Sequence, residues 1–107
     1  MEGFVKKTEL RIIFNENDSY HGNSLCRLIV EEAHKLGISG ATVIQTKGGY
    51  GSRQHVHTTD VLRLSAELPI VISLVDDLEK LNPLITYVKE RAKGGLISLQ
   101  EIWVNKK

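Results

Sequence analysis

The chain is poor in the residues that most often build special sites. Its 107 residues include one cysteine, one methionine, one tryptophan and two prolines, and only 6% are aromatic. A single cysteine excludes an intramolecular disulfide and a cysteine-cluster zinc site within one chain, and it fits a reducing compartment. Neither sign of charge is in excess: 14 Lys and Arg stand against 13 Asp and Glu, a formal net charge of +1. That balance argues against a dedicated nucleic-acid binder. No apolar run approaches the roughly 18 residues of a membrane span, so no direct membrane insertion is expected. The opening MEGFVKKTEL has no hydrophobic run behind its lysines and does not read as a signal peptide.

What is present reads as globular. Hydrophobic residues make up 41% of the chain and charged residues 25%, values of a folded protein and not of a disordered one. A chain of this size can bury about 65% of its surface, enough for one core. The expectation is a soluble, cytoplasmic protein with one domain spanning residues 1–107.

Extended and helical runs alternate twice. Leu10 to Phe14 reads as a strand closed by the turn residues 15–19. Leu25, Leu28, Ile29, Ala33 and Leu36 form one apolar helical stripe, with Asn23 or Ser24 to cap it and Gly37 to end it. A second strand runs from Ala41 to Thr46, and a third from Leu68 to Val75. The third is nearly continuously apolar, as a central strand buried on both faces would be, with Pro69 tolerable only at its beginning. Leu78, Leu81, Ile85, Val88 and Ala92 stripe a second helix within residues 76–93. Asp76 with Glu79 resembles a capping box. Pro83 either kinks this helix or begins it, with Asn82 as cap. Gly94 and Gly95 end it, and Leu96 to Val104 is the last strand.

The order β-α-β, β-α-β predicts an α+β, ferredoxin-like βαββαβ sandwich: an antiparallel sheet with two helices on one face. The other sheet face is then solvated or covered by a second copy. The apolar third strand favours the copy.

Residues 47–54, Lys-Gly-Gly-Tyr-Gly-Ser-Arg-Gln, are too glycine-rich for the interior of an element. Such a loop can turn its amides toward an anion, Arg53 can grip a phosphate, and Tyr50 offers a ring to a base. It is equally an ordinary loop, since it is neither a P-loop nor a dinucleotide fingerprint. His55 and His57, at i and i+2 of an extended segment, share a face and can share a metal. His21, Cys26 and His34 are the further ligands on offer. Cys26, beside the first helical stripe, fits a buried structural thiol. No nucleophile has a plausible base and orienter, so no enzymatic activity is expected.

Gly37-Ile38-Ser39-Gly40-Ala41-Thr42-Val43, followed by the glycine loop to Gln54, is similar to the PII signalling proteins. A closer resemblance is to the PII-like group called domain-of-unknown-function family one-ninety. It is carried by Tyr20-His21-Gly22, Val56-His57-Thr58, Leu62-Arg63-Leu64-Ser65, Leu68-Pro69-Ile70 and Gly94-Gly95-Leu96. The resemblance runs from Leu10 to Val104. It implies a homotrimer that binds an adenine nucleotide as effector in its intersubunit clefts. It also implies a mobile loop, about 47–65, that regulates a partner such as a membrane transport protein. Carried over by position, it implies Thr42, Gly48, Gly51, Arg53, Gln54, Gly94 and Gly95 at the nucleotide. The chain has one extra residue in the glycine loop, a shorter glycine turn and no C-terminal arginine pair. This puts AMP or ADP ahead of ATP. Gln45 and Gly48 stand where the closer group is expected to carry arginine and glutamate. The alternatives are a metal- or anion-responsive trimer using His55 and His57, and an interaction scaffold with no small ligand.

Overall fold

The computed structural model describes residues 1–47 and 68–107. Its elements are β1 (Phe4–Asn15), β2 (Ser19–Tyr20), β3 (Asn23–Ser24), α1 (Leu25–Lys35), β4 (Ala41–Gln45), β5 (Pro69–Asp76), α2 (Leu78–Arg91) and β6 (Leu96–Asn105). Four strands form an antiparallel sheet in the order β4-β5-β1-β6. This is the expected ferredoxin-like arrangement.

Period-two alternation builds the core side. Leu10, Ile12 and Phe14 of β1 and Ile70, Ile72 and Leu74 of β5 point to the helices and are buried. Leu25, Ile29 and Ala33 of α1 and Leu81, Leu84 and Val88 of α2 close on them. The apolar stripe expected for α2 includes Ile85. Leu84 takes the buried place there, and Ile85 is half-buried.

Both ends of α1 behave as read. The Ser24 hydroxyl accepts the Arg27 amide, and Gly37 leaves the helix at φ +74°. The Gly37 amide bonds the His34 carbonyl and the Ile38 amide bonds that of Ala33, a Schellman closure that buries Ile38. The Gly-Ile-Ser-Gly run therefore serves the helix exit.

Three expectations need correction. β1 begins at Phe4 and not at Leu10, because its polar first half is held by pairing with β6, from Phe4 opposite Asn105 onward. β5 is not buried on both faces: it alternates, with Val71, Ser73 and Val75 half-buried on the side away from the helices. The Asp76–Glu79 capping box does not form. Asp76 ends β5, and Asp77 is the α2 cap but makes no side-chain capping bond. Asp77 instead meets Lys7 Nζ at 3.0 Å. Of the two readings open for Pro83, the helix running through it holds, and α2 does not begin there.

Candidate functional site

The described residues that flank the glycine-rich motifs sit at one end of the sheet. There β4 leaves the sheet and β5 enters it. The Thr46 hydroxyl donates to the Pro69 carbonyl at 2.7 Å, and the Glu16 amide donates to the Leu68 carbonyl at 2.9 Å. Gln45 Nε2 donates to Glu16 at 3.1 Å. Glu16, Gln45, Thr46, Lys47 and Leu68 line an open pocket of about 240 Å³. Gln45, where the related group is expected to carry arginine, thus holds Glu16 at the edge of this pocket.

The turn between α2 and β6 approaches β1 closely. A Cβ on Gly95 would lie 3.3 Å from the Ile13 carbonyl oxygen and 3.4 Å from Ala92 Cβ. The Gly95 amide donates to the Ala92 carbonyl at 3.1 Å, and Ala92 itself is the α2 cap. The turn is thus tight at Gly95 for a packing reason, whatever else it presents.

Thr42 is exposed on β4, opposite Ser73 and on the open face of the sheet. It occupies one edge strand, whereas Gly94 and Gly95 lead into the other. Strands β5 and β1 lie between, so the two edges are about 14 Å apart at ordinary strand spacing. One protomer does not bring these residues together. Gly48, Gly51, Arg53, Gln54, His55 and His57 lie outside the described residues. Among the described residues no three His, Cys, Asp or Glu side chains cluster as metal ligands. Cys26 is half-buried against the core, and burial pushes its thiol up, which suits packing and not reactivity.

Two groupings were not legible as such in the sequence. On the open face, the Glu9 carboxylate accepts from Ser73 Oγ and Gln100 Nε2, both at 2.7 Å, and from Arg11 Nε at 3.3 Å. The Ser73 hydroxyl and then Gln100 hold its carboxyl below the usual 4.5 against the opposing effect of burial, and Arg11 adds a lesser lowering. The alternation of β1 places Glu9 and Arg11 opposite the buried Leu10 and Ile12. Only strand pairing reveals Ser73 and Gln100 beside them.

The second grouping explains Tyr20-His21-Gly22. His21 at φ +50° and Gly22 at φ +80° form the two-residue turn of the β2–β3 hairpin. The turn folds the imidazole back onto the Tyr20 ring, 4.1 Å between centroids and 10° from parallel. The Arg91 guanidinium lies 5.2 Å from the Tyr20 ring and 3.8 Å from that of Tyr87. Cation–π contacts thereby tie the hairpin to the last turn of α2.

Comparison with known proteins agrees with this architecture. Residues 7–104 match the family model DUF190, described as an uncharacterized ACR family. A UPF0166 protein of Aquifex aeolicus (strain VF5) is 32% identical over 100 residues, 94% of each chain. A UPF0166 protein of Methanocaldococcus jannaschii is 36% identical over 103 residues, 95% of this chain and 94% of that one. Among solved structures, the fold is similar to CPII from Thiomonas intermedia K12, solved bound to ADP, AMP and acetate. That match has a TM-score of 0.69 at 17% identity and covers 96% of this chain and 92% of that one. The apo form of CPII, described as a nitrogen regulatory PII-like protein, matches with a TM-score of 0.66 at 16% identity, over 97% of each chain. A structure from Thermus thermophilus, a candidate PII-like signaling protein, gives 0.66 at 18% identity over 95% of this chain and 91% of that one. At these identities the structural matches establish the fold.

Proposed function

The chain belongs to the DUF190 family, and on that premise we propose that it is a PII-like regulatory protein whose effector is an adenine nucleotide. Three copies form a closed ring. AMP or ADP, ahead of ATP, binds in the cleft between neighbours. Thr42, Gly48, Gly51, Arg53 and Gln54 come from one copy and Gly94 and Gly95 from the next. The observation that carries this reading is the division of the described candidates between opposite edges of one sheet. A head-to-tail ring sets one edge of each copy against the other edge of its neighbour and so completes each cleft. The ADP- and AMP-bound CPII structures support the choice of ligand class.

No residue is assigned a catalytic role. The nucleotide acts by population shift: it favours one arrangement of residues 47–65, and a partner such as a membrane transport protein binds that arrangement better. The protein works in the cytoplasm. Among the described residues no helix is long and apolar enough to cross a membrane.

Thermal denaturation with AMP, ADP, ATP and divalent metals tests the reading. A ligand that binds only the folded state adds about 2.7 kcal/mol at 100 times its dissociation constant, so ADP or AMP should raise the midpoint clearly. Arg53→Ala should abolish that rise and leave the unliganded midpoint in place. A metal response with no nucleotide response would replace this reading with the His55–His57 one.

A further inference from the structure

The first residues of β1 and the last of β6 run past the rest of the sheet. β5 pairs with β1 only from Thr8 onward, whereas β6 pairs with it from Phe4. Residues 4–7 and 102–105 therefore form a two-stranded ribbon. It projects about 13 Å beyond β5 at ordinary strand rise, at the sheet end opposite Gln45 and Pro69. A turn closes its tip. The Phe4 amide donates to the Met1 carbonyl at 3.2 Å with Gly3 at φ +77°, and the Lys106 amide donates to the Gly3 carbonyl at 2.9 Å.

This tip is both basic and apolar. Residues 1–7 and 102–107 hold four lysines against one glutamate, a net +3 where the whole chain carries +1. Glu101, opposite Thr8, marks the inner limit of the basic end. Lys7 is engaged by Asp77. Among the described residues no carboxylate pairs with Lys6, Lys106 or Lys107. Met1 is 72% exposed, Phe4 40% and Trp103 49%. The pairing of Lys6 with Trp103 and of Phe4 with Asn105 sets Phe4, Lys6 and Trp103 on one face. Lys6 Nζ stands 5.4 Å from the centre of the Trp103 ring.

We propose that the ribbon tip seats the protein on an anionic lipid bilayer, with Met1, Phe4 and Trp103 in the headgroup layer and Lys6, Lys106 and Lys107 on the lipid phosphates. Shape and charge together select this partner. The apolar side chains stand on a narrow projecting end, and the open pocket lies at the other end of the sheet, at Gln45 and Thr46. A protein partner needs a broad complementary face, and a small ligand needs a hollow. A bilayer surface takes a protruding ring, and tryptophan settles where hydrocarbon gives way to water. Lysines carry their charge past such rings to the phosphates and are drawn to an anionic surface. The protein lies on the membrane and does not span it. The seat does not depend on the ring put forward above. β4 is level with β6 only as far as Leu99, so an edge-to-edge ring needs nothing from residues 102–105. The sheet end at Gln45 and Pro69 then faces away from the lipid, toward the part of a partner that stands clear of the bilayer.

Trp103 is the chain's one tryptophan, so its fluorescence reports the seat directly. Nucleotide-free protein is mixed with vesicles of equal phosphatidylglycerol and phosphatidylcholine at about 0.1 M salt. It should co-sediment, and Trp103 emission should shift to the blue and be quenched by lipids brominated high in the acyl chain. Vesicles of phosphatidylcholine alone, or salt raised to about 1 M, should weaken binding at least about tenfold. Lys106→Glu with Lys107→Glu, past the end of β6, should weaken it at least about tenfold with circular dichroism unchanged. Phe4→Ser, on the exposed side of the ribbon, should weaken it about tenfold and stands in if the lysine variant does not fold. Protein left in solution by the anionic vesicles overturns the proposal. So does binding with Trp103 emission unmoved, or binding that neither variant weakens. Retention on single-stranded DNA or polyglutamate with no vesicle binding overturns it as well. Each of these results leaves the nucleotide reading untouched, since no nucleotide is present.

Discussion

Asp76 shows how far a single carboxylate can depart from its reading in sequence. Its spacing to Glu79 suggests a helix cap. The side chain turns instead into the strand–helix junction, where it accepts the Ser39 amide at 3.0 Å and the Asp77 amide at 2.8 Å, and it is only 7% exposed. The cause is tertiary: the chain leaving α1 at Gly37 crosses the end of β5, and no local pattern records that crossing. Burial pushes the Asp76 carboxyl up. The two amides and the charges of Lys80 and Lys7 outweigh burial, and the carboxyl ends below its ordinary 3.8. Asp76→Ala leaves those amides without their partner and should cost about 1–3 kcal/mol in urea denaturation. Asp76→Asn, which keeps one acceptor oxygen, should cost less. The sign of the pH dependence follows. Asp76 and Glu9 both sit below their ordinary values of 3.8 and 4.5 when folded. In acid the unfolded chain therefore binds more protons. Their contribution is present in full above the ordinary values and is lost as pH falls through the folded ones. The thermal midpoint should decline below about pH 5, and less steeply in Asp76→Asn.

The elements were legible where local chemistry decides them. The α1 stripe, the Ser24 cap and the Gly37 exit follow from residues within one or two turns. Legibility failed where pairing or packing overrides the local pattern. Lys6-Lys7-Thr8-Glu9 has no apolar alternation, yet it is strand because β6 lies beside it. Pro83 gives up one helical amide, and the buried Leu81, Leu84 and Val88 around it hold α2 continuous. The β2–β3 hairpin is too short for a periodicity signal, and its contact with Arg91 spans 71 residues of chain. That contact predicts a local effect. Arg91→Ala should increase amide exchange in residues 19–24 with little change at α1. Equal protection in variant and wild type would mean that the hairpin is held by its turn alone.

For the whole molecule, the sheet order and the side taken by the helices followed from the sequence of strands and helices and the handedness of crossovers. The candidate site did not follow in the same way. Thr42 and the Gly94–Gly95 turn are close in no sequence sense, and the fold sets them at opposite edges of a sheet. A site made of both needs two copies, and that requirement appears only when strand order is known. The Glu9 cluster has the same origin: its members come from β1, β5 and β6.

The central claim is that one nucleotide site is built from two copies of the chain, and complementation in mixed assemblies tests it most directly. Arg53→Ala damages the loop side of the proposed cleft, and Gly94→Glu sets a negative charge on the turn side. Each variant alone should bind no ADP by titration calorimetry. Co-expressed in equal amounts, they should assemble at random, so that each mixed ring has one cleft with an intact loop and an intact turn, about a quarter of all clefts in the preparation. The account predicts that the co-expressed preparation binds ADP with wild-type affinity at about a quarter of the wild-type stoichiometry. Mixed rings that bind no ADP would contradict it.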